Sequence, residues 1–435
     1  MSTLKVNKLR DTAGSADAIT LDPNGGAVLA GVTTISTARV TTGITSTSLQ
    51  VGAAVTITES GIEASGIGIT CANINGTQIG GRRNIIINGA MNVAQRATSS
   101  TSGGGYNTID RIDYRVYGAD ETPTQAQVDV ASGTSPYTEG FRKSFKFTNG
   151  NQSSGAAVDD YLFIFYQVEG QDIVQSGWNY TDPNSFITMS FWVKSSVAQN
   201  FYGYLRSRET TEQSIAFDTG SLSANTWTKV VRTFPGNSNI VMANDNGQGL
   251  GIYFSQFFGT DRTNSSKSTT AWAAYDNDAR TPDQTSTWWT TDDATWEITG
   301  LQLEVGSQAT AFEHRSFAEE LSLCRRYYQQ YTNIVGTGYA SDSANTSYHH
   351  GFTFPVEMRS APTYSITNTG STAGQYVTDG NNNVSISSLS GGDFQTHNMA
   401  VHYNLSGDLT NFSAAHLFGV DSTTYQTTHK LSSEL

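Results

Sequence analysis

Three pairs of carboxylates stand close enough in the chain to suggest bond cleavage: Asp159 with Asp160, Asp276 with Asp278, and Asp292 with Asp293. Glycosidic hydrolysis needs two carboxyl groups about 5 to 10 Å apart across the scissile bond. In a chain rich in Gly, Asn and Ser the same acids also form turns, because a short side-chain oxygen bonds nearby backbone N–H groups. Turn formation is the preferred reading for each pair. His349 and His350 are adjacent, so on a strand one of them would point inward. In a three-fold assembly one such histidine per chain could complete a metal site, but an ordinary strand-end pair is the simpler reading. The Asp276-Asn277-Asp278 run could take calcium, although the spacing of an EF-hand loop is absent.

Binding without cleavage makes a different demand. A pyranose offers an apolar C–H face to an aromatic ring and hydroxyls to Asn, Asp and Gln. The stretch from Trp272 to Trp296 combines these groups, and the candidate ligand residues are Trp272, Tyr275, Asp276, Asp278, Trp288, Trp289 and Asp292. Adjacent strand residues face opposite ways, so at most one of Trp288 and Trp289 is expected in the core.

The elements that position these groups can be read from composition. At 435 residues the chain exceeds what one core usually organises. Abundant Gly, Ser and Thr, with only 14% charged residues, suit turn-rich antiparallel sheet, so the expected class is all-β. A net charge of −13 argues against a nucleic-acid surface. Cys71 and Cys324 are too few for a disulfide framework or a cysteine zinc site, and both are expected to be reduced and buried. The opening MSTLKVNKLRD lacks a signal-peptide core, and no stretch approaches the roughly 20 apolar residues of a membrane span. Folding in a cytoplasm, with no membrane insertion, is the expectation.

Aromatic residues begin only at Tyr106. Before it, residues 26 to 83 alternate Val, Ile, Thr and Gly at strand period, as in VTITES and GIGITCANI. Such small side chains bury too little area, at roughly 25 cal/mol per Å², to offset an ordering cost of about 1 to 2 kcal/mol per residue. Three copies wrapped on one axis would share a core of Val40, Ile44, Leu49, Val51, Val55, Ile57, Ile62, Ile67, Ile69 and Ile79 and would leave no open edges. A disordered tail is the alternative. Residues 84 to 315 read as short strands in a jelly-roll sandwich, among them SFITMSFWVKSS, NFYGYLRSR, WTKVVRTF, GIYFSQFF and TWEITGLQLEVG. A connecting helix is expected over 316 to 331, with Ser316 and Glu319 as a capping box and Phe317, Leu321, Cys324 and Tyr328 as its packing face. Residues 332 to 435 read as a small terminal β-sandwich.

Three passages resemble one protein family: NIIINGAMNVAQR (84 to 96), EITGLQLEVGSQATAFEHRSFAEELSLCRRYY (297 to 328) and FPVEMRSAPT (354 to 363). Together they resemble phage tail-fibre proteins, in which the first passage opens and the second closes a carbohydrate-binding-module-like jelly roll. The resemblance implies a virion protein that folds in the host cytoplasm. It implies a homotrimer, with residues 1 to 25 docking to tail or adaptor proteins and the rest attaching to host surface polysaccharide without catalysis. A structural tail connector or decoration protein, and a glycan-degrading tailspike, are the alternatives. In the closing motif, Leu301, Leu303 and Val305 share one strand face and Gln302 and Glu304 the other, which is ordinary core packing. The two polar residues could instead help hold a structural calcium ion; no other cofactor is expected.

Overall fold

The computed structural model describes residues 82–332, 334–340, 347–368, 375–378, 383–407, 409, 414–419 and 427–435, together with the backbone of short strands before residue 79. The chain divides into two compact units, Met1–Cys71 and Ala72–Leu435.

In the first unit, Lys8–Arg10, Asp17–Leu21 and Ala27–Leu29 form one antiparallel meander, and Ser48–Val51, Val55–Thr58 and Gly61–Ala64 form another. Register pairs Leu49 with Ile57 and Ile57 with Ile62, and it pairs Val51 with Val55. These positions therefore share one face of the second meander. Of the other proposed core residues, Val40, Ile44, Ile67, Ile69 and Ile79 lie outside the described residues, as does Cys71.

The second unit opens on a sandwich of ten principal strands: β1 (Ile112–Tyr117), β2 (Thr124–Asp129), β3 (Lys143–Thr148), β4 (Tyr161–Glu169), β5 (Phe186–Ser195), β6 (Asn200–Ser207), β7 (Gln213–Ser221), β8 (Thr228–Pro235), β9 (Gln248–Phe258) and β10 (Thr295–Val305). One sheet has the order β1-β4-β9-β6-β7, and the other β8-β5-β10-β3-β2. Between them lies the core, to which Ile164, Phe191, Leu205, Phe254, Trp296 and Leu303 contribute. The strands come from period-two alternation, with core residues at every second position and turns of Gly, Asn and Asp between.

The opening and closing motifs are tied to each other. Ile85 N donates to Leu303 O at 2.9 Å, and Leu301 N donates to Gly89 O at 2.9 Å. Asn84 Oδ1 accepts from Leu303 N, while its amide donates to Leu301 O. Asn88 adopts a left-handed conformation (φ 62°), which asparagine tolerates. Its side chain ties the turn to Val93 and to Asp110 O, and its backbone N–H reaches the buried Glu320 carboxylate. Gly89 lies so near β10 that a Cβ there would stand 2.0 Å from Leu301 O. Gln302 and Glu304 hold the segment after β10: Glu304 accepts from Thr310 N and Oγ1 and from Gln302 Nε2, and Gln302 Oε1 accepts from Glu313 N.

The helix α1 (Phe317–Arg325) begins at the expected cap, with Ser316 Oγ accepting from Glu319 N at 3.2 Å. It ends sooner than the expected residue 331, because Tyr328–Thr332 is already a strand. Its buried positions are Glu320 and Cys324, while Phe317 is exposed. The packing face is therefore the one through Glu320 and Cys324, because Glu320 must reach Asn88 N. Cys324 is a free, buried thiol. In the terminal region the sequence led to two packed sheets. There, the strands Gly336–Ala340, Ser347–Thr353, Asn398–Leu405, Asn383–Phe394, Gln375–Thr378 and Ala414–Gly419 close into a barrel, and a three-stranded sheet of Tyr328–Thr332, Thr427–Ser432 and Thr363–Asn368 accompanies it. Closure follows because Gly336–Ala340 pairs on both sides, with Ser347–Thr353 and with Ala414–Gly419. Among the described residues no helix is long and apolar enough to cross a membrane.

Among the described residues the cores of the sandwich and of the terminal barrel lie beyond residue 82, so a chain of residues 82 to 435 should unfold cooperatively on its own. In that chain Gly89→Ala should lower stability by about 3 kcal/mol, since the added carbon meets backbone and not a movable side chain. Equal denaturation midpoints for the pair would contradict the role given to this turn.

Candidate functional site

Strand β4 presents its two faces to different surroundings. Leu162, Ile164, Tyr166 and Val168 enter the core, so Phe163, Phe165 and Gln167 face outward. The neighbouring strands do likewise, and register lines their outward residues into rows. One row runs Asp113, Phe165, Tyr253, Tyr204, Ala216 across five strands. The next carries Arg115, Phe163, Ser255 and Tyr202. On the other side Gln167 pairs with Gly251 and Gly251 with Arg206. Gly251 is needed there, because a Cβ would meet the Tyr253 ring at 2.6 Å.

The rings of this row pack side by side. Tyr204 and Tyr253 are stacked at 4.3 Å and 3°, and Phe165 and Tyr253 at 5.3 Å and 17°. Tyr275, from the loop after β9, extends the series beyond Tyr204 at 6.2 Å. Arginines flank them: Arg206 lies 3.4 Å from the Tyr275 ring centre, Arg280 5.3 Å from that of Phe258, and Arg115 5.7 Å from that of Phe165. Together these residues line a cleft of about 330 Å³, with Gln167, Arg208, Gln248, Asn277 and Leu435 at its margins.

The cleft's polar groups are partly engaged. Glu212 pairs with Arg206 and with Arg208, and Asp113 pairs with Arg115 at 2.7 Å. Gln167 Oε1, Asp113 Oδ1 and Arg206 Nε are buried without hydrogen-bond partners. Burial raises the Tyr204 and Tyr253 phenols, which therefore stay protonated at neutral pH. Burial also raises the Asp113 carboxyl, with Arg115 opposing. The rings stack on one another as a packed floor, and the groups left at the opening, Tyr275, Asn277 and the arginines, can hydrogen-bond hydroxyls or anions.

Only one of the candidate ligand residues lines this cleft: Tyr275. Trp272, Trp288 and Trp289 are all buried in the sandwich core. Their indole N–H groups donate to Pro235 O, Thr295 O and Gly155 O. The expectation that at most one of Trp288 and Trp289 is buried fails because the pair is not on a strand. Thr290 N donates to Ser286 O, a helical turn, and neighbours there diverge by about 100° and not 180°. Asp276, Asp278 and Asp292 are exposed and do not line the cleft. Asp276 Oδ1 caps Asp278 N at 2.9 Å, Asp278 also pairs with Arg262, and Asp160 Oδ2 caps Ala157 N, so these acids serve their turns. His350 is buried, with its ring Nδ1 3.1 Å from Thr337 O, and His349 stacks at 3.8 Å on His402, its partner on the neighbouring strand. Among the described residues no three His, Cys, Asp or Glu gather as a metal site.

Sequence reasoning missed Phe163, Phe165, Tyr204 and Tyr253. Their signal is present as aromatic residues at the alternate, outward positions of YLFIFYQVE, NFYGYLRS and GIYFSQFF. A second cavity of about 220 Å³ lies at Arg82, Arg83, Asp172 and Arg315, but it has no aromatic lining, and its arginines are engaged by Glu319, Thr310 and Glu320.

No protein-family profile matches the chain, and no curated protein matches it. Among solved structures it is similar to the enzymatically active domain of tailspike protein 4 from bacteriophage CBA120, with 9% identity, 51% of this chain, 21% of that one and a TM-score of 0.27. The chain thus matches about a fifth of that domain's length. It is also similar to the N-terminal cellulose-binding domain of Cellulomonas fimi β-1,4-glucanase C, with 9% identity, 50% and 99% coverage and a TM-score of 0.24. A third is the family 11 carbohydrate-binding module of Clostridium thermocellum in complex with a β-1,3-1,4-mixed-linked tetrasaccharide, with 12% identity, 47% and 91% coverage and a TM-score of 0.22.

The tryptophans should prove to be stability residues. Trp289→Ala is expected to cost about 3 to 5 kcal/mol in chemical denaturation, whereas Tyr275→Ala should cost about 1 kcal/mol or less. A Trp289→Ala chain as stable as the parent would return that residue to the surface.

Proposed function

We propose that this chain is a phage tail-fibre subunit that attaches to host surface glycan through the arginine-flanked cleft on the outer side of its sandwich, without cleaving it. The observation that carries the binding part is the cleft on the outer side of this sheet, where the half-buried Tyr275 and the edges of Arg115 and Arg280 stand beside Gln167 Oε1, Asp113 Oδ1 and Arg206 Nε, which lack partners. Phe165, Tyr253 and Tyr204 form its buried floor. The carboxylates at the cleft, Asp113 and Glu212, are held by arginines, which supports holding over hydrolysis. The tail-fibre part rests on the resemblance of the passages at 84 to 96, 297 to 328 and 354 to 363.

The test is binding of the full chain to host polysaccharide, with reducing-end release followed in the same samples. Tyr275→Ala should weaken binding roughly three- to tenfold while no sugar is released. Unchanged affinity in that variant would remove the cleft, and turnover would favour a tailspike enzyme.

The same reading makes the chain a homotrimer whose first unit supplies the shared contact, while its N-terminal end docks to tail or adaptor proteins. Leu49, Val51, Val55, Ile57 and Ile62 share a face that three copies could bring together. Ile57→Asp would then set three carboxylates near one axis, at a cost of several kcal/mol. Light scattering should find the parent trimeric and the variant shifted toward monomer; a monomeric parent, or a variant that stays fully trimeric, would remove the segment as the trimerisation element.

A further inference from the structure

The charge of the cleft is opposite to that of the protein. The whole chain carries −13, yet Arg115, Arg206, Arg208 and Arg280 meet on this one face. Four guanidiniums stand against Asp113 and Glu212, which leaves the lining positive. Nor are the four equivalent. Glu212 is shared between Arg206 and Arg208, which Gln248 also orders through Arg208 Nε at 3.0 Å. Arg280 is aimed by Asn277, whose carbonyl and Oδ1 accept from it at 3.1 and 2.6 Å, and among the described residues no carboxylate pairs with it. Arg115 has only Asp113, and half its side chain remains exposed. The acids of the nearby loop do not supply the missing charge: Asp278 pairs with Arg262, and Asp276 Oδ1 accepts from Asp278 N in its own turn.

Neutral sugars need hydroxyl partners, which Gln167, Asn277 and Tyr275 already offer. Guanidiniums held over aromatic rings with free edges add something else, a planar fork that matches carboxylate or sulfate oxygens. Resting on the glycan-binding reading above, we infer that the ligand of this cleft is an anionic polysaccharide, whose carboxylate or sulfate groups pair with Arg280 and Arg115 while its hydroxyls meet Asn277 and Tyr275.

The full chain is titrated calorimetrically with a polyuronate, a sulfated galactan, the same two polymers after carboxyl reduction and desulfation, and polyglutamate. At least one acidic polysaccharide should bind, and its neutralised form should bind about tenfold or more weakly, as expected for loss of a hydrogen bond to a charged group. Arg280→Gln should show a similar loss on the acidic polymer at an unchanged unfolding temperature. Arg142→Gln removes the same charge from the other sheet and should bind like the parent. Preference between the two acidic polymers identifies the anion. Equal affinity for the neutralised polymer would overturn the inference and leave glycan binding standing, as would an unaffected Arg280→Gln. Equal affinity for polyglutamate would show that the cleft reads charge without sugar, and absence of binding to every glycan would remove both readings together.

Discussion

The buried guanidinium of Arg111 holds the second unit together. It follows a turn in the left-handed region (φ 74°) and lies between aromatic rings, 3.4 Å from the centre of Tyr327 and 5.2 Å from that of Tyr166. It pairs with Glu434 from the chain's far end and donates to Gln167 O at 2.6 Å on β4. Beside it, Glu169 accepts from Arg326 and from Tyr327 Oη. Burial works against ionising Glu169, yet the Arg326 and Tyr327 hydrogen bonds hold its carboxyl below the usual range. Buried pairs of this kind contribute little net stability, because desolvation offsets most of the attraction; removing one partner costs about 3 to 5 kcal/mol. Their consequence here is positional, since the pairs with Glu434, Gln167 O, Arg326 and Tyr327 form together in one arrangement.

That arrangement reaches the cleft through β4. Arg111 fixes the backbone at Gln167, and Gln167, Phe165 and Phe163 are alternate residues on the outward side of the same strand. The inward side carries Ile164 and Val168 into the core. The site and the core are thus two faces of one strand, and the rings that stack outward are held in register by the ladder that builds the fold. Site geometry therefore costs no separate loop ordering, apart from the segment that brings in Tyr275, Asn277 and Arg280.

This division explains what could be read from the sequence. Alternation marked SFITMSFWVKSS, NFYGYLRSR and TWEITGLQLEVG as strands, and they are β5, β6 and β10; the cap at Ser316 is likewise where the residues put it. Period two says which residues share a face, but not which face meets the other sheet, so the aromatics of β4, β6 and β9 could be taken for core. The helical turn at Ser286–Thr290, which strand alternation does not anticipate, turns both Trp288 and Trp289 inward. The helix face was misjudged because Tyr328 was counted as helical, whereas the partner that matters, Asn88, is 232 residues from Glu320. Contacts at that separation have no local periodicity to announce them.

The opposed charges of surface and cleft act over different distances. An acidic polymer approaching the protein meets the field of a chain with net charge −13, which disfavours encounter at long range. At physiological ionic strength that field decays over about 8 Å, while a guanidinium paired with an anion on an aromatic floor is far less screened. Such a site rejects loose association with any polyanion and favours only a segment that enters the cleft, where hydrogen bonding and ion pairing act together. In the proposed trimer, specificity would come from shape and contact, and linked copies of the cleft would raise avidity without new interactions.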